Sequence, residues 1–288
     1  MNIYRKFFAI TVVVLLSFSF SISQAESMNL KMVFVPASEK GDDKDYVNLI
    51  NIIGDLTGIE ITPIRVTDYN AAVEAVRANR AQIAWYGGKT YIQAAEIADV
   101  EAFAAGVRKG DTDASYFAYF VVPADSELQT LEEIKGKTLA LNTIGSTSGD
   151  LIPQVELMKV GLSVKNKDDF ENVYYAGSHD ACLMSVLNKH ADVCGMSSRN
   201  FDARILDGTF KLEQVRIIHR SNPVPPPPLA YSKKLPIEVR NKIKKATLEA
   251  HKYGTIGGYG GEMSHYIEVT DSDYDLLREV DRLLSSQQ

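Results

Sequence analysis

Short apolar segments alternate along the chain with segments in which apolar residues recur at helical spacing. Continuous apolar runs are typical of buried strands, and the longer spacing is typical of amphipathic helices. Up to residue 107 this alternation predicts strands at 30–35, 59–66, 81–86 and 100–107, and helices at 45–56, 69–79 and 90–98. Such an order predicts a mainly parallel sheet with helices on both faces.

A second series begins after a long β-branched and aromatic strand predicted at 116–122, which leads the chain out of the first series. This series predicts strands at 138–142, 172–175, 191–195 and 215–219, with helices at 148–160, 180–189 and 201–207. Two separate series indicate two α/β lobes, because each series can build its own sheet.

Prolines interrupt the pattern at 223 and at 225–228. Proline lacks the backbone N–H that a helix or a central strand needs, so we predict a stiff extended crossover back to the first lobe. A proline tract can also be a ligand for other protein modules. Beyond it we predict a strand at 229–232 and helices at 236–253 and 273–284.

These elements together predict a two-lobed α/β protein with two crossovers. We assign residues 26–122 and 225–288 to lobe 1 and residues 123–224 to lobe 2. Proteins of this architecture close on a ligand by hinge bending. Their binding sites lie in the cleft, outside the carboxyl ends of the parallel strands.

The first 25 residues have the three-part layout of a secretory signal peptide. Arg5 and Lys6 precede an apolar run at 7–22, and Ser23-Gln24-Ala25 provides a small-residue cleavage site. A membrane anchor is the alternative, but a run of 16 residues is short for a bilayer core and contains several serines. We therefore expect cleavage before Glu26 and export to the periplasm.

Acidic residues outnumber basic ones, which narrows the choice of partners. The chain has 31 Lys and Arg against 37 Asp and Glu, and removing the signal peptide leaves 29 against 37, a formal charge of −8. This charge disfavours nucleic acid or an anionic membrane as the partner. A small anion is not disfavoured, because its binding depends on local donors. Metal-ligand spacing such as C-x-x-C does not occur, so we expect no metal or cofactor. We also expect a monomer.

The two cysteines leave two alternatives open. Cys182 lies on the predicted helix 180–189, and Cys194 lies near the strand that follows. An oxidising compartment permits a disulfide, but a helix and a strand do not guarantee the geometry of a bridge. We favour two buried free thiols over a bridge.

Three loops follow predicted strands at the position of the cleft. In the first, Ser146, Thr147 and Ser148 stand between glycines at the start of a helix. Their hydroxyls, the free N–H groups of the first turn and the helix dipole suit an oxyanion. The alternative is ordinary N-capping, for which one hydroxyl is enough.

The second loop contains His179 and Asp180, again at a helix start. His179 could donate to an anion, more strongly if it is protonated, or could be a surface residue. Asp180 could contact the ligand or could be the helix N-cap. In lobe 1, Tyr86 ends a strand and Tyr69 begins a helix, so both can present phenol donors at the cleft. The alternative for both tyrosines is half-buried packing.

With these loops in this order, the chain resembles the phosphonate- and phosphite-binding periplasmic proteins of ABC importers. The resemblance is carried by Thr67-Asp68-Tyr69, a strand ending in Tyr-Gly, Ser-Thr-Ser-Gly-x-Leu-Ile-Pro at 146–153 and Gly-Ser-His-Asp-Ala at 177–181. It covers essentially the whole mature chain. It implies a type II periplasmic-binding fold and phosphorus-oxyanion contacts from Tyr69, Tyr86, Ser146, Thr147, Ser148 and His179, with Asp180 as a further candidate.

Two places depart from the family pattern. The family often has Gly-Pro after the strand-end aromatic residue, whereas this chain has Gly87-Gly88-Lys89. After the strand at 191–195 the family often has a carboxylate or amide contact, whereas this chain continues Met-Ser-Ser-Arg-Asn. From that loop we retain only Ser197 as a candidate ligand contact.

The loops and the resemblance predict a non-enzymatic solute-binding protein that passes a small phosphorus oxyanion to an ABC permease at the inner membrane. We favour phosphite first and a short phosphonate second. Phosphate, sulfate, hypophosphite or another small metabolite are alternative ligands. A hydrolase is a further alternative, because Ser148, His179 and Asp180 supply the residue types of a triad. Adjacent residues at a helix start rarely place the carboxylate on the far side of the imidazole, so we expect no hydrolysis.

Overall fold

The computed structural model describes residues 28–37 and 43–286 of the 288-residue chain. The predicted signal peptide at 1–25 lies outside the described residues. Every helix in the described ranges is too short or too polar to cross a bilayer. The strands are β1 (Asn29–Phe34), β2 (Glu60–Arg65), β3 (Ile83–Trp85), β4 (Val100–Arg108), β5 (Ala118–Pro123), β6 (Thr138–Leu141), β7 (Asn172–Tyr175), β8 (Val193–Ser197), β9 (Val215–Arg220), β10 (Pro228–Ser232), β11 (Ile256–Gly258) and β12 (Gly261–Glu268).

The helices cover the faces of the sheets and mostly follow the apolar periodicity of the sequence. They are α1 (Asp43–Thr57), α2 (Tyr69–Arg77), α3 (Gly88–Ile97), α4 (Ile152–Lys159), α5 (His179–Leu187), α6 (Ser198–Leu206), α7 (Ile237–Glu249) and α8 (Asp275–Ser286). The helix predicted at 148–160 is in fact a π-helical turn, Thr147–Leu151, followed by α4. π-turns of this kind often accompany functional sites.

The strands form two sheets, one in each lobe. The first has the order β11-β12-β4-β10-β3-β1-β2 and the second has the order β7-β6-β8-β5-β9. Within the first sheet β10 and β12 run against the other strands, and within the second sheet β5 runs against its neighbours. The remaining strands share one direction, so their carboxyl ends meet at one edge of each sheet.

Each lobe has its own apolar core. In the second sheet, neighbouring residues of β5 point to opposite faces, because side chains alternate along a strand. Phe120 and Val122 pack in one buried cluster and Val121 packs in the other. The first lobe is built around a larger cluster that includes β1, β3, β4 and β10. The two sheets therefore act as rigid platforms for the loops at their edges.

The lobes are joined by two extended segments that hydrogen bond to each other. Tyr116 N donates to Val224 O at 3.3 Å and Val224 N donates to Tyr116 O at 2.8 Å. From the sequence, residues up to 122 were assigned to lobe 1, whereas β5 pairs entirely within the second sheet. The chain therefore enters the second sheet earlier than residue 122. Pro228 is the first residue of β10, where a proline is tolerated.

The hairpin of β11 and β12 was not predicted from the sequence. It pairs with β4 and completes the edge of the first sheet. The glycines around positions 257–261 hid the short strand β11, and Gly260 turns the chain with φ +83°. In β12 the buried residues Met263 and Tyr266 are three positions apart, because the pairing register shifts between Met263 and His265, so strict alternation is absent.

The expectation of two free thiols was wrong. Cys182 on α5 and Cys194 on β8 form a disulfide, with their Cα atoms 5.6 Å apart. The bridge is possible because α5 packs directly on β8, which brings two residues 12 positions apart into bonding range. It links the element that carries His179 to the strand that ends at Ser197.

Candidate functional site

The loop of three hydroxyl residues lies where β6 ends, at the contact between the lobes. All three side chains are buried, each with at most 2% of its surface exposed. Ser146 is the N-cap of the π-helical turn, and its Oγ accepts from Gly149 N at 3.2 Å. It also accepts from Asn142 Nδ2 at 3.1 Å. Ser146 therefore shapes the loop, and its two neighbours are the more direct candidates for a ligand contact.

Thr147 and Ser148 connect this loop to lobe 1 and to the crossover. Thr147 Oγ1 accepts from the backbone N–H of Lys89 at 2.9 Å. Both hydroxyls hydrogen bond to the side chain of Tyr116, whose pKa is raised by burial although these hydrogen bonds oppose the shift. Tyr116 was predicted only as part of a strand. Nothing local in the sequence indicated that its hydroxyl would meet the loop.

Tyr69 lies on the opposite side of the same loop. It begins α2, and Asp68 caps that helix by accepting from Ala71 N at 2.8 Å. A Cβ added at Gly145 would lie 3.2 Å from Tyr69 Cβ, and one added at Gly87 would lie 3.3 Å from Tyr69 Cε1. Glycine at these two positions therefore lets the lobes come together around the tyrosine ring.

Tyr86 is completely buried at the end of β3, beside Gly87. Burial raises the pKa of its phenol well above the usual value. Its hydroxyl has no hydrogen-bond partner among the described residues. A buried hydroxyl without a partner is costly in a folded protein, so Tyr86 remains a candidate donor to a ligand.

His179 lies beneath the hydroxyl loop and not on its surface. Its Nδ1 accepts from Ser197 N at 3.2 Å, and its Nε2 lies 3.0 Å from the carboxamide nitrogen of Asn142. Burial lowers its pKa from 6.5 to about 3, so the ring is neutral at physiological pH. The sequence raised the alternative of a protonated donor, which this burial disfavours. In the described structure the imidazole positions Asn142 and the end of β8.

Asp180 and Ser197 have local structural contacts. Asp180 Oδ1 lies 3.4 Å from Arg204 Nε on α6. The N-cap of α5 is Ser178, which accepts from Ala181 N at 3.0 Å, so the alternative of an Asp180 cap was wrong. Ser197 is the N-cap of α6 and accepts from Arg199 N at 3.2 Å. The structure thus gathers Tyr69, the hydroxyl loop, His179 and Ser197 together, whereas the Asp180 carboxylate lies beside Arg204.

A buried ion pair between the lobes was missed by the sequence reasoning. Asp150, only 1% exposed, accepts from Lys89 Nζ at 2.8 Å. It also accepts from Gly145 N at 3.1 Å and from Tyr175 OH at 2.8 Å. Lys89 had been noted only as a departure from a family pattern. Its pairing depends on the approach of two lobes, which local sequence does not reveal.

The arrangement is suited to holding a small oxyanion. Thr147, Ser148, Tyr69, Tyr86 and Tyr116 offer neutral hydroxyls. The N–H groups of the first helical turn have no carbonyl partner within the helix. Among the described residues, no group of three or more His, Cys, Asp or Glu side chains is arranged to hold a metal. Hydroxyl and N–H donors of this kind can hydrogen bond to an anion.

A family model and a known protein that resemble this chain agree with each other. The family model described as "ABC transporter, phosphonate, periplasmic substrate-binding protein" matches residues 32–274. The phosphonates-binding periplasmic protein of Escherichia coli (strain K12) is 27% identical over 227 residues, which cover 77% of this chain. The chain spans only 62% of that relative's length.

Two solved structures share the two-lobed fold. A binding protein component of an ABC phosphonate transporter from Pseudomonas aeruginosa has a TM-score of 0.79 at 21% identity, covering 90% of this chain and 87% of its own. PhnD1 from Prochlorococcus marinus (MIT 9301), in complex with methylphosphonate, has a TM-score of 0.75 at 18% identity, covering 90% and 99%. At these identities the structures establish the fold, which is that of a type II periplasmic-binding protein as the sequence predicted.

Proposed function

Because the chain belongs to the family of periplasmic substrate-binding proteins of ABC phosphonate transporters, we propose that it captures a small phosphorus oxyanion between its lobes. We favour phosphite first and a short phosphonate second. The protein would act as a monomer in the periplasm and present its cargo to an ABC permease at the inner membrane. Nucleic acid is not a partner in this proposal, and no cofactor takes part in it.

The observation that carries the proposal is the contact of the hydroxyl loop with lobe 1. Thr147 Oγ1 accepts from Lys89 N at 2.9 Å, and the loop lies against Tyr69. The loop also begins a helix, where free N–H groups and the helix dipole favour an anion. Residues of both lobes meet at this loop, so an anion bound there would stabilise the closed arrangement.

The residues that a hydrolase would need are not arranged as a catalytic triad, which argues for binding without catalysis. A triad needs a carboxylate that orients the histidine, but Asp180 lies beside Arg204. The two ring nitrogens of His179 lie beside Asn142 and Ser197, and the hydroxyl of Ser148 bonds to Tyr116. A nucleophile and its base are therefore not paired. We propose that the protein binds its ligand and releases it unchanged.

Ligand size and charge favour the simplest phosphorus anions. The donors around Thr147 and Ser148 are mostly neutral hydroxyls and backbone N–H groups, which suit three phosphoryl oxygens. An amino substituent would need a carboxylate, and the loop after β8 offers Ser197, Ser198, Arg199 and Asn200 instead. The relative from Prochlorococcus was crystallised with methylphosphonate, the shortest carbon-bearing phosphonate.

Isothermal titration calorimetry tests the proposal directly. The mature protein is titrated with phosphite, methylphosphonate, 2-aminoethylphosphonate, phosphate, sulfate and hypophosphite. We expect phosphite or methylphosphonate to bind most tightly. Binding of 2-aminoethylphosphonate at least about tenfold tighter than phosphite, a difference of roughly 1.4 kcal/mol, would overturn the choice of ligand. Tightest binding to sulfate, or binding to none of the phosphorus anions, would overturn the proposed function itself.

A further inference from the structure

Arg199 is a buried cation that lies close to the proposed site. It follows Ser197 at the start of α6, and only 2% of its surface is exposed. No carboxylate of the described residues lies within 4.0 Å of its guanidinium. Buried charges are normally paired, because removing a charge from water is costly. Arg199 therefore has no ion pair among the described residues, and a negative charge from outside the chain would supply one.

The contacts of Arg199 hold it in place without neutralising it. Its Nη2 donates to the backbone carbonyls of Gly106 at 3.2 Å and Ala114 at 2.7 Å. The turn of the β11–β12 hairpin covers it, since a Cβ added at Gly260 would lie 2.8 Å from Arg199 Cβ. Its Nε has no hydrogen-bond partner among the described residues. The Nη2 bonds therefore hold the side chain in place, and the Nε donor is left for a further partner.

Tyr116 connects this cation to the hydroxyl loop. The Arg199 guanidinium carbon lies 5.8 Å from the centre of the Tyr116 ring. The hydroxyl of the same ring bonds to Thr147 and Ser148. The positive charge therefore lies one aromatic side chain away from the donors proposed to hold the anion. A positive charge in this position interacts electrostatically with an anion held by those donors, with less screening than in water.

The carboxylates nearest Arg199 hydrogen bond to other groups, although two of them share the single charge of Arg108. Asp111 and Asp202 both accept from Arg108, at 3.2 Å and 2.8 Å. Asp113 accepts from Ser115 N at 2.7 Å. These carboxylates contribute to the electrostatic field at Arg199, but each hydrogen bonds to another group and not to the Arg199 guanidinium.

Two other described basic residues beside the hydroxyl loop, Lys89 and His179, carry no unbalanced charge. The charge of Lys89 is balanced by the carboxylate of Asp150, and His179 is uncharged at physiological pH. Of these three described basic residues, Arg199 is the one whose charge is left for a ligand.

We propose that Arg199 supplies the charge that balances the bound anion, so that the cleft prefers dianions to monoanions. The proposal rests on the function proposed above and adds a specificity-determining residue to it. Without Arg199, a dianion would meet mainly neutral donors among the described residues. Because the Coulomb energy scales with ligand charge, losing Arg199 should cost a dianion about twice as much free energy as a monoanion.

Calorimetry of two substitutions at mildly alkaline pH tests this inference. Phosphite then carries two charges, whereas hypophosphite carries one at any pH where the protein is folded. We expect R199Q to weaken phosphite binding about thirtyfold and hypophosphite binding about fivefold. R199K retains the charge and should recover most of the phosphite affinity. The ratio of the two affinities within one variant does not depend on how much of the sample is folded.

Arg216 provides a matched control. Its Nη2 also donates to two backbone carbonyls, those of Ser126 and Leu128, and its Nε also lacks a partner in the described structure. It lies on β9, away from the hydroxyl loop, so R216Q should change neither affinity more than about twofold. An equal loss for phosphite and hypophosphite in R199Q, or no recovery in R199K, would overturn the inference. Wild-type protein that binds neither anion would instead overturn the proposed function on which it rests.

Discussion

The buried histidine should make the folded protein sensitive to mild acid. In the unfolded chain the His179 ring is protonated near its ordinary pKa of 6.5, whereas burial lowers the folded-state pKa to about 3. Between these two values the unfolded state binds more protons than the folded state. The free energy of unfolding therefore falls as the pH falls below 6.5, and the loss ends near pH 3.

The expected size of this effect follows from the two pKa values. Between about pH 7 and about pH 5, protonation of the unfolded chain at this one site should lower the free energy of unfolding by about 2 kcal/mol. The carboxyls of Asp113 and Asp169 do not contribute in this range. Hydrogen bonds from Ser115 and Ser163 lower their pKa values, so both groups titrate below 3.8.

Urea denaturation of wild-type protein and H179Q across this pH range measures the effect. The glutamine can still accept from Ser197 N but cannot be protonated. H179Q should be less stable at neutral pH, yet its stability should fall by about 2 kcal/mol less than that of wild type on acidification. H190Q, at an exposed position just beyond α5, is the control and should behave as wild type. An equal fall in the free energy of unfolding of wild type and H179Q on acidification would refute the reasoning.

Two further predictions concern the contacts around the site. Replacing both Cys182 and Cys194 by Ala should lower the free energy of unfolding by roughly 3 kcal/mol in a denaturation experiment, because the bridge closes a loop of 12 positions. Two free thiols in the unreduced, unfolded protein would contradict the bridge. K89M removes the partner of the buried Asp150 and should weaken anion binding roughly tenfold, with a larger radius of gyration in small-angle scattering. An unchanged radius would show that this ion pair does not hold the lobes together.

Features encoded in local pattern could be predicted from the sequence. The alternation of apolar runs and helical spacing located nearly all strands and helices. The three hydroxyls between Gly145 and Gly149 indicated an anion loop, and the structure places that loop at the contact between the lobes. Tyr69 was identified because it begins a helix directly after a strand. These features depend on residues that are close together in the sequence, so the local pattern of residues was enough to predict them.

Features that depend on distant residues could not be predicted. Tyr116 lies on the crossover and meets a loop that is distant in the sequence. Asp150 finds Lys89 across 61 positions, and Arg199 is covered by a hairpin whose glycines carry no clear strand signal. Burial also changed the interpretation of His179, because a lone histidine in a polar loop gives no indication that its ring will be enclosed.

Removing the hydroxyls of Thr147 and Ser148 one at a time tests oxyanion capture most directly. Phosphite and methylphosphonate are titrated by calorimetry into wild-type protein, T147A, S148A and the control S185A, which removes a similar helix hydroxyl far from the loop. A hydrogen bond to a charged group is worth roughly 1.5–3 kcal/mol, so each of the first two substitutions should weaken binding about tenfold or more. S185A should bind as wild type. Unchanged affinity in both T147A and S148A would show that the anion binds elsewhere.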